Sequence, residues 1–198
     1  MSTPIAPDAV CLVDAPLAKE ARNINPKTWW FTGLPGAGKT TLATAWAAQL
    51  RQGQHNAIVL DGDELRRGLT SDLGFSAADR NENMRRVAEV ARLLNDAGMD
   101  AVVALVSPSC SGRALARQIV GEQRFVEIHV ATPLGVCQQR DPKGLYQRAA
   151  NQEQFGLTGV QSPYEPPSQP DLTIDTSVVD VSQAIALLLL ARARAPQA

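Results

Sequence analysis

The chain has 198 residues, 44% apolar and 20% charged, the balance of an ordinary globular domain large enough to build a core without staples. Its formal charge is −1, from 19 basic and 20 acidic residues, which excludes a general electrostatic affinity for nucleic acid or an anionic membrane. The three cysteines, Cys11, Cys110 and Cys137, lack metal-ligand or Cys-x-x-Cys spacing, as expected of reduced thiols in a cytoplasmic protein.

Residues 1–27 hold several prolines and no sustained periodicity, and read as a loosely ordered lead-in without the basic and apolar regions of a signal peptide. A domain over 28–195 follows. The apolar run Thr28-Trp29-Trp30-Phe31 predicts a first strand, and the Gly- and Pro-free stretch 41–51 predicts a helix. Ala57 to Asp61 reads as a second strand, Ala78 to Ala97 as a long helix stopped by Gly98, and Ala101 to Val106 as a third strand. A helix over Arg113 to Val120, a strand over Phe125 to Val130 and a short helix over Leu134 to Arg140 come next.

Residues 141–170 break that rhythm with glycines and a Pro-rich end, the mark of a lid or binding loop. Leu172 to Asp175 predicts a fifth strand and Val181 to Ala193 a closing helix; the apolar run at 184–191 is too short to span a bilayer. Near-continuous apolar strands alternating with helices imply an α/β fold, a parallel sheet of about five strands covered on both faces. Ligands then gather at the carboxyl ends of the strands.

Between the first strand and its helix stands Gly33-Leu-Pro-Gly36-Ala37-Gly38-Lys39-Thr40, a complete phosphate-binding P-loop in its proper context. Its glycines let backbone amides point at phosphate oxygens, Lys39 brings positive charge to the β- and γ-phosphates, and Thr40 offers a hydroxyl to Mg²⁺. The chain is therefore expected to bind a nucleoside triphosphate. Asp61 and Asp63, at the end of the second strand, are placed to position Mg²⁺ or accept a proton from an attacking hydroxyl. Arg66, Arg80, Arg85 and Arg86 form a local density of guanidinium groups that suits bidentate anion recognition, although a charge run on a helix is by itself more often a solvated face. His55 and His129 have no second ligand type nearby and read as structural.

Taken in order, the P-loop, Leu60-Asp-Gly-Asp-Glu-Leu-Arg-Arg-Gly-Leu69, Asp72-Leu-Gly-Phe75 and Asp79-Arg-x-x-Asn83 resemble the adenylylsulfate (APS) kinases. The resemblance continues through Val106-Ser-Pro108, Asp141-Pro-Lys-Gly-Leu-Tyr146, Leu157-Thr-Gly159 and Ser162-Pro-Tyr-Glu165, covering about 28–175. It implies a P-loop kinase that moves the γ-phosphate of MgATP to the 3′-hydroxyl of adenosine 5′-phosphosulfate (APS), giving PAPS. On the same resemblance Gly33 and Gly36 to Thr41 hold the ATP phosphates, with Lys39 on the transferring group. Thr40 and Asp61 hold Mg²⁺, while the division of metal and base roles between Asp61 and Asp63 stays open. Asp63, Arg66, Arg80 and Asn83 hold the acceptor, Phe75 stacks on its adenine, and Val106, Ser107, Lys143, Gly156 and Leu157 complete that site. Ser107 matches a serine that is phosphorylated in some members. ATP and APS are the expected partners, alongside a homodimer and a functional pairing with an ATP sulfurylase.

The chain departs from the family pattern at Pro35, where serine is usual, at Ser109-Cys110, and at Ala149-Ala150-Asn151, which lacks an arginine. Leu157 stands where an aromatic residue closes over the acceptor adenine; Phe155, two residues earlier, is the candidate to replace it. The alternatives are a P-loop kinase for another small alcohol or nucleotide, and a degenerate nucleotide-binding partner of a sulfurylase.

Overall fold

The computed structural model describes residues 25–153 and 155–194. Cys11 and the expected lead-in, up to residue 24, lie outside them. The elements in chain order are β1 (Thr28–Thr32), α1 (Lys39–Gln52), β2 (Ala57–Asp61), α2 (Gly62–Leu65), α3 (Ala77–Asp96) and β3 (Asp100–Ala104). They are followed by α4 (Cys110–Val120), β4 (Phe125–Val130), α5 (Leu134–Arg140), α6 (Leu145–Ala150), β5 (Leu172–Ile174) and α7 (Val181–Arg194). The five strands form one sheet in the order β2-β3-β1-β4-β5, every pair parallel.

The period-2 alternation of β1 divides the core. Trp29 and Phe31 point to one face, where they join Leu42 and Trp46 of α1 and Leu188 of α7. Trp30 points to the other, among Met84 and Val87 of α3 and Ala116 of α4. All three β1 aromatics are fully buried, and removing each from water contributes about 1.5–3 kcal/mol or more. Trp29 and Trp46 meet edge to face, ring centres 4.7 Å apart. This central strand fixes the P-loop at its carboxyl end. Among the described residues no helix is long and apolar enough to cross a membrane.

Several elements differ from expectation. β3 stops at Ala104 rather than Val106; beyond it the Val106 carbonyl accepts from the Thr32 hydroxyl at 2.9 Å and from Gly33 N at 3.4 Å. Ser107 then adopts a positive φ of 47°. The first helix starts at Lys39, so Lys39 and Thr40 belong to its opening turn. α2 was not anticipated; Asp61 caps it by accepting from Asp63 N at 2.9 Å. The stretch expected to be irregular contains α6, six residues that are too few to leave a readable period. Tyr146 of α6 donates to the Pro35 carbonyl at 2.9 Å and ties the lid segment to the P-loop.

Candidate active site

The P-loop takes the shape that its glycines permit. Gly33 has φ 150°, and a Cβ there would lie 2.5 Å from the Val130 carbonyl oxygen. Gly38, at φ 99°, is the left-handed residue that opens α1. Ala37 is fully buried and its carbonyl accepts from the hydroxyls of Thr132 and Thr176, at 3.0 and 2.9 Å. Lys39 Nζ donates to the carbonyls of Gly33 and Leu34, at 2.9 and 2.7 Å. Burial pushes its pKa down to about 8, so an anion beside it would be met by a poorly solvated cation.

Two cavities meet at the carboxyl edge of the sheet. The larger, about 1050 Å³, is lined by Gly36, Gly38, Thr41 and residues of the α5–α7 side. The smaller, about 330 Å³, extends toward Phe75 and the lid segment. Lys39, Thr40, Asp61, Asp63 and Lys143 line both. In this shared wall Thr40 donates its hydroxyl to Asp61 Oδ2 at 2.7 Å, and Lys143 pairs with Asp63. Lys143 comes from the turn after α5, where Asp141, at φ 23°, accepts from Gln147 N at 3.0 Å.

The smaller cavity gathers most of the expected acceptor residues: Arg66, Phe75, Arg80, Asn83, Val106, Ser107 and Leu157. Phe75 is 52% exposed, with the guanidinium carbons of Arg66 and Arg80 at 4.3 and 5.5 Å from its ring centre. Arg66 donates to the carbonyls of Leu73 and Gly74, and Arg80 to those of Phe75 and Gly156. Burial lowers the pKa of both from the ordinary guanidinium value, yet arginine stays cationic in proteins. Gly33, Ala37 and Gly156 line neither cavity; Gly156 reaches the site only through its bond to Arg80. Asn83 is buried, and its Oδ1 has no hydrogen-bond partner among the described residues.

Arg85 and Arg86 do not join the site. Both pair with Glu82, and Arg86 also makes a bidentate contact with Asp72 at 2.7 and 2.8 Å. Ser107 lines the smaller cavity alone, 2% exposed, with its Oγ accepting from Trp30 Nε1 at 2.9 Å. Leu157 is 3% exposed and belongs to the core as well as the cavity wall. Phe155 and Arg148 line the same wall, the guanidinium 4.8 Å from the ring centre.

Sequence reading missed Arg140, Thr176 and Val179 in the larger cavity, which are dispersed residues with no motif. Arg140 donates to the hydroxyl and carbonyl of Thr176, at 2.6 and 2.7 Å. It also missed Arg113, which is 3% exposed and bonds Glu127 and the carbonyls of Ser107 and Glu165, each at 2.7 Å. A basic residue on the otherwise apolar buried face of a helix was the available signal.

The donor set suits Mg²⁺. The Thr40 hydroxyl and the Asp61 carboxylate are hard oxygen ligands facing both cavities, and a divalent cation of this kind takes its remaining ligands from water and substrate phosphates. Among the described residues no group of three or more His, Cys, Asp or Glu is clustered to hold a metal by itself.

The adenylylsulphate kinase family model matches residues 25–175. An adenylyl-sulfate kinase of Shewanella amazonensis is 55% identical over 161 residues, 81% of each chain. The solved APS kinase of Mycobacterium tuberculosis, in complex with AMPPNP and APS, superposes with a TM-score of 0.80 at 44% identity, covering 85% of this chain and 98% of that one. A hexameric APS kinase from Thiobacillus denitrificans superposes with a TM-score of 0.64 at 36% identity, over 86% of this chain and 29% of that one. With the P-loop, the paired aspartates and the arginine-flanked Phe75 assembled on one sheet edge, the chain belongs to the adenylylsulphate kinase family.

Proposed function

We propose that this chain transfers the γ-phosphate of MgATP to the 3′-hydroxyl of APS, releasing ADP and PAPS. The observation that carries the reading is the wall shared by the two cavities, because phosphoryl transfer requires donor and acceptor to meet in line at one charged seam. The larger cavity takes ATP with its phosphates on Gly36 to Thr41, and the smaller takes APS. Mg²⁺, held by Thr40 and Asp61, neutralises charge on the phosphates when bound.

Asp63 is assigned the proton. Asp61 is engaged by Thr40 and by the Asp63 amide, whereas among the described residues the Asp63 carboxylate pairs with the half-exposed ammonium of Lys143. Once the phosphosulfate draws Lys143 and the arginines, Asp63 is free to accept the 3′-hydroxyl proton as its oxygen attacks phosphorus. Lys39 stays on the transferring group. Phe75 and Phe155 offer faces to the adenine. Self-association is part of the proposal, prompted by the hexamer named for the Thiobacillus denitrificans enzyme.

The test is ADP release from MgATP with and without micromolar APS, with the product examined for a 3′-phosphate. APS-dependent turnover supports the reading. Nucleotide binding without it transfers the weight to another acceptor or to the sulfurylase-partner alternative.

A further inference from the structure

Five buried side-chain polar atoms lack a hydrogen-bond partner among the described residues: Trp46 Nε1, Thr70 Oγ1, Asn83 Oδ1, Thr158 Oγ1 and Arg192 Nη1. Trp46, Thr70 and Arg192 line neither of the two cavities, whereas Asn83 and Thr158 both line the smaller one. Buried polar groups are nearly always satisfied, and an orphan on a residue that lines a cavity points to a ligand. Asn83 is already assigned to the acceptor by the family resemblance. Thr158 is not.

We infer that the Thr158 hydroxyl is a specificity contact for the base edge of the acceptor nucleotide, an inference that rests on the APS reading above. Thr158 is 1% exposed, and the turn that carries it is braced by its own bonds. Gln161 Oε1 accepts from Leu157 N at 3.1 Å, Ser162 Oγ donates to the Gly156 carbonyl at 2.9 Å, and Gly159 N donates to the Ser162 carbonyl at 2.8 Å. Among the described residues the Thr158 hydroxyl has no hydrogen-bond partner.

The wall of the cavity carries both cations and aromatic rings. The phosphosulfate needs cations, which Arg66, Arg80 and Lys143 supply. The flat base needs aromatic faces and a neutral polar partner. Phe155 stands three positions before Thr158 on the same wall, and a hydroxyl can rotate to donate to or accept from a base edge.

The experiment compares wild type with Thr158→Val and Thr158→Ser in steady-state kinetics and thermal unfolding. Thr158→Val is expected to raise the KM for APS about tenfold, leave the KM for MgATP unchanged, and unfold at the same temperature or higher, because it removes an unsatisfied buried hydroxyl. Thr158→Ser restores the KM. An APS KM within about twofold of wild type in Thr158→Val overturns the inference, as does a loss of thermal stability, which would reveal a partner inside the protein. Wild-type protein without APS-dependent turnover overturns the parent reading instead, and this one with it.

Discussion

Trp30 and Ser107, 77 positions apart, are joined by a 2.9 Å hydrogen bond from the indole N–H to the serine Oγ. The core of the sheet thereby holds the floor of the acceptor cavity. Ser107→Ala leaves a buried indole N–H unpaired and is expected to cost about 1–3 kcal/mol in denaturant unfolding. Adding Trp30→Phe, which removes the donor too, should recover part of that loss. Ser107 lines the smaller cavity and not the larger one, the one proposed for ATP. Mass spectrometry after incubation with MgATP alone should find Ser107 unmodified; phosphoserine there would reverse this view.

Arg113 does for the lid what Trp30 does for the floor. It neutralises Glu127 inside the protein and holds the carbonyls of Ser107 and Glu165 together, at 2.7 Å each. Arg113→Met leaves the buried Glu127 carboxylate to Arg117, 3.6 Å away, and is expected to cost about 3 kcal/mol, the low end for a broken buried pair. The double variant Arg113→Met/Glu127→Leu should regain most of that stability, since an apolar pair of similar volume replaces a buried ion pair at little loss. Its KM for APS should stay high, because neither carbonyl recovers a donor. A double variant with a wild-type KM would reduce Arg113 to a packing role.

Phe155 and Leu157 separate binding from packing within three residues. Phe155 lines the acceptor cavity under the Arg148 guanidinium, and its replacement by Ala should raise the KM for APS with a small change in unfolding temperature. Leu157 is 3% exposed, so Leu157→Ala should act chiefly on stability, by about 2–5 kcal/mol. The pair is read by measuring KM and unfolding on both variants. An unchanged KM in Phe155→Ala would sink the idea that this ring took over the stacking role.

The site was legible wherever chemistry forces contiguous residues. A P-loop needs its glycines, lysine and threonine in one turn, and a strand-end Asp61-Gly-Asp63 puts two carboxylates beside it. Local density alone does not sort Arg85 and Arg86 from Arg66 and Arg80; the first two project from α3 toward Glu82 and Asp72. Helical phase decides which arginines reach the cavity, and neighbouring positions differ by about 100° around the axis. Arg140 was illegible because its partner comes from a distant segment, and Thr158 because a buried hydroxyl without a partner leaves no pattern in sequence; Arg113 left only the trace of a basic residue on an apolar helix face. The five strands were readable from apolar runs, whereas α2 and α6 are four and six residues long and leave no period.

That arginine pair supplies an acid-stability prediction with a definite sign. Hydrogen bonds from Arg85 and Arg86 hold the Glu82 carboxyl down to about 2, and Arg86 also keeps the Asp72 carboxyl below its ordinary value. A depressed carboxyl contributes stability that is fully present above its unfolded value and is lost as pH falls through the folded one. Glu82→Gln should therefore be less stable than wild type near neutral pH, and the gap should close between about pH 4.5 and about pH 2. The side chain is 35% exposed, so solvent screening limits the gap to about 1 kcal/mol, and added salt should shrink it further. Urea unfolding at about pH 7 and about pH 2 measures the difference; a gap that persists in acid would assign it to packing. Because Arg86 also bonds the Leu69 carbonyl, this cluster fastens the segment between Arg66 and Phe75 to α3. Loosening it should raise the KM for APS near neutral pH while leaving the KM for MgATP in place.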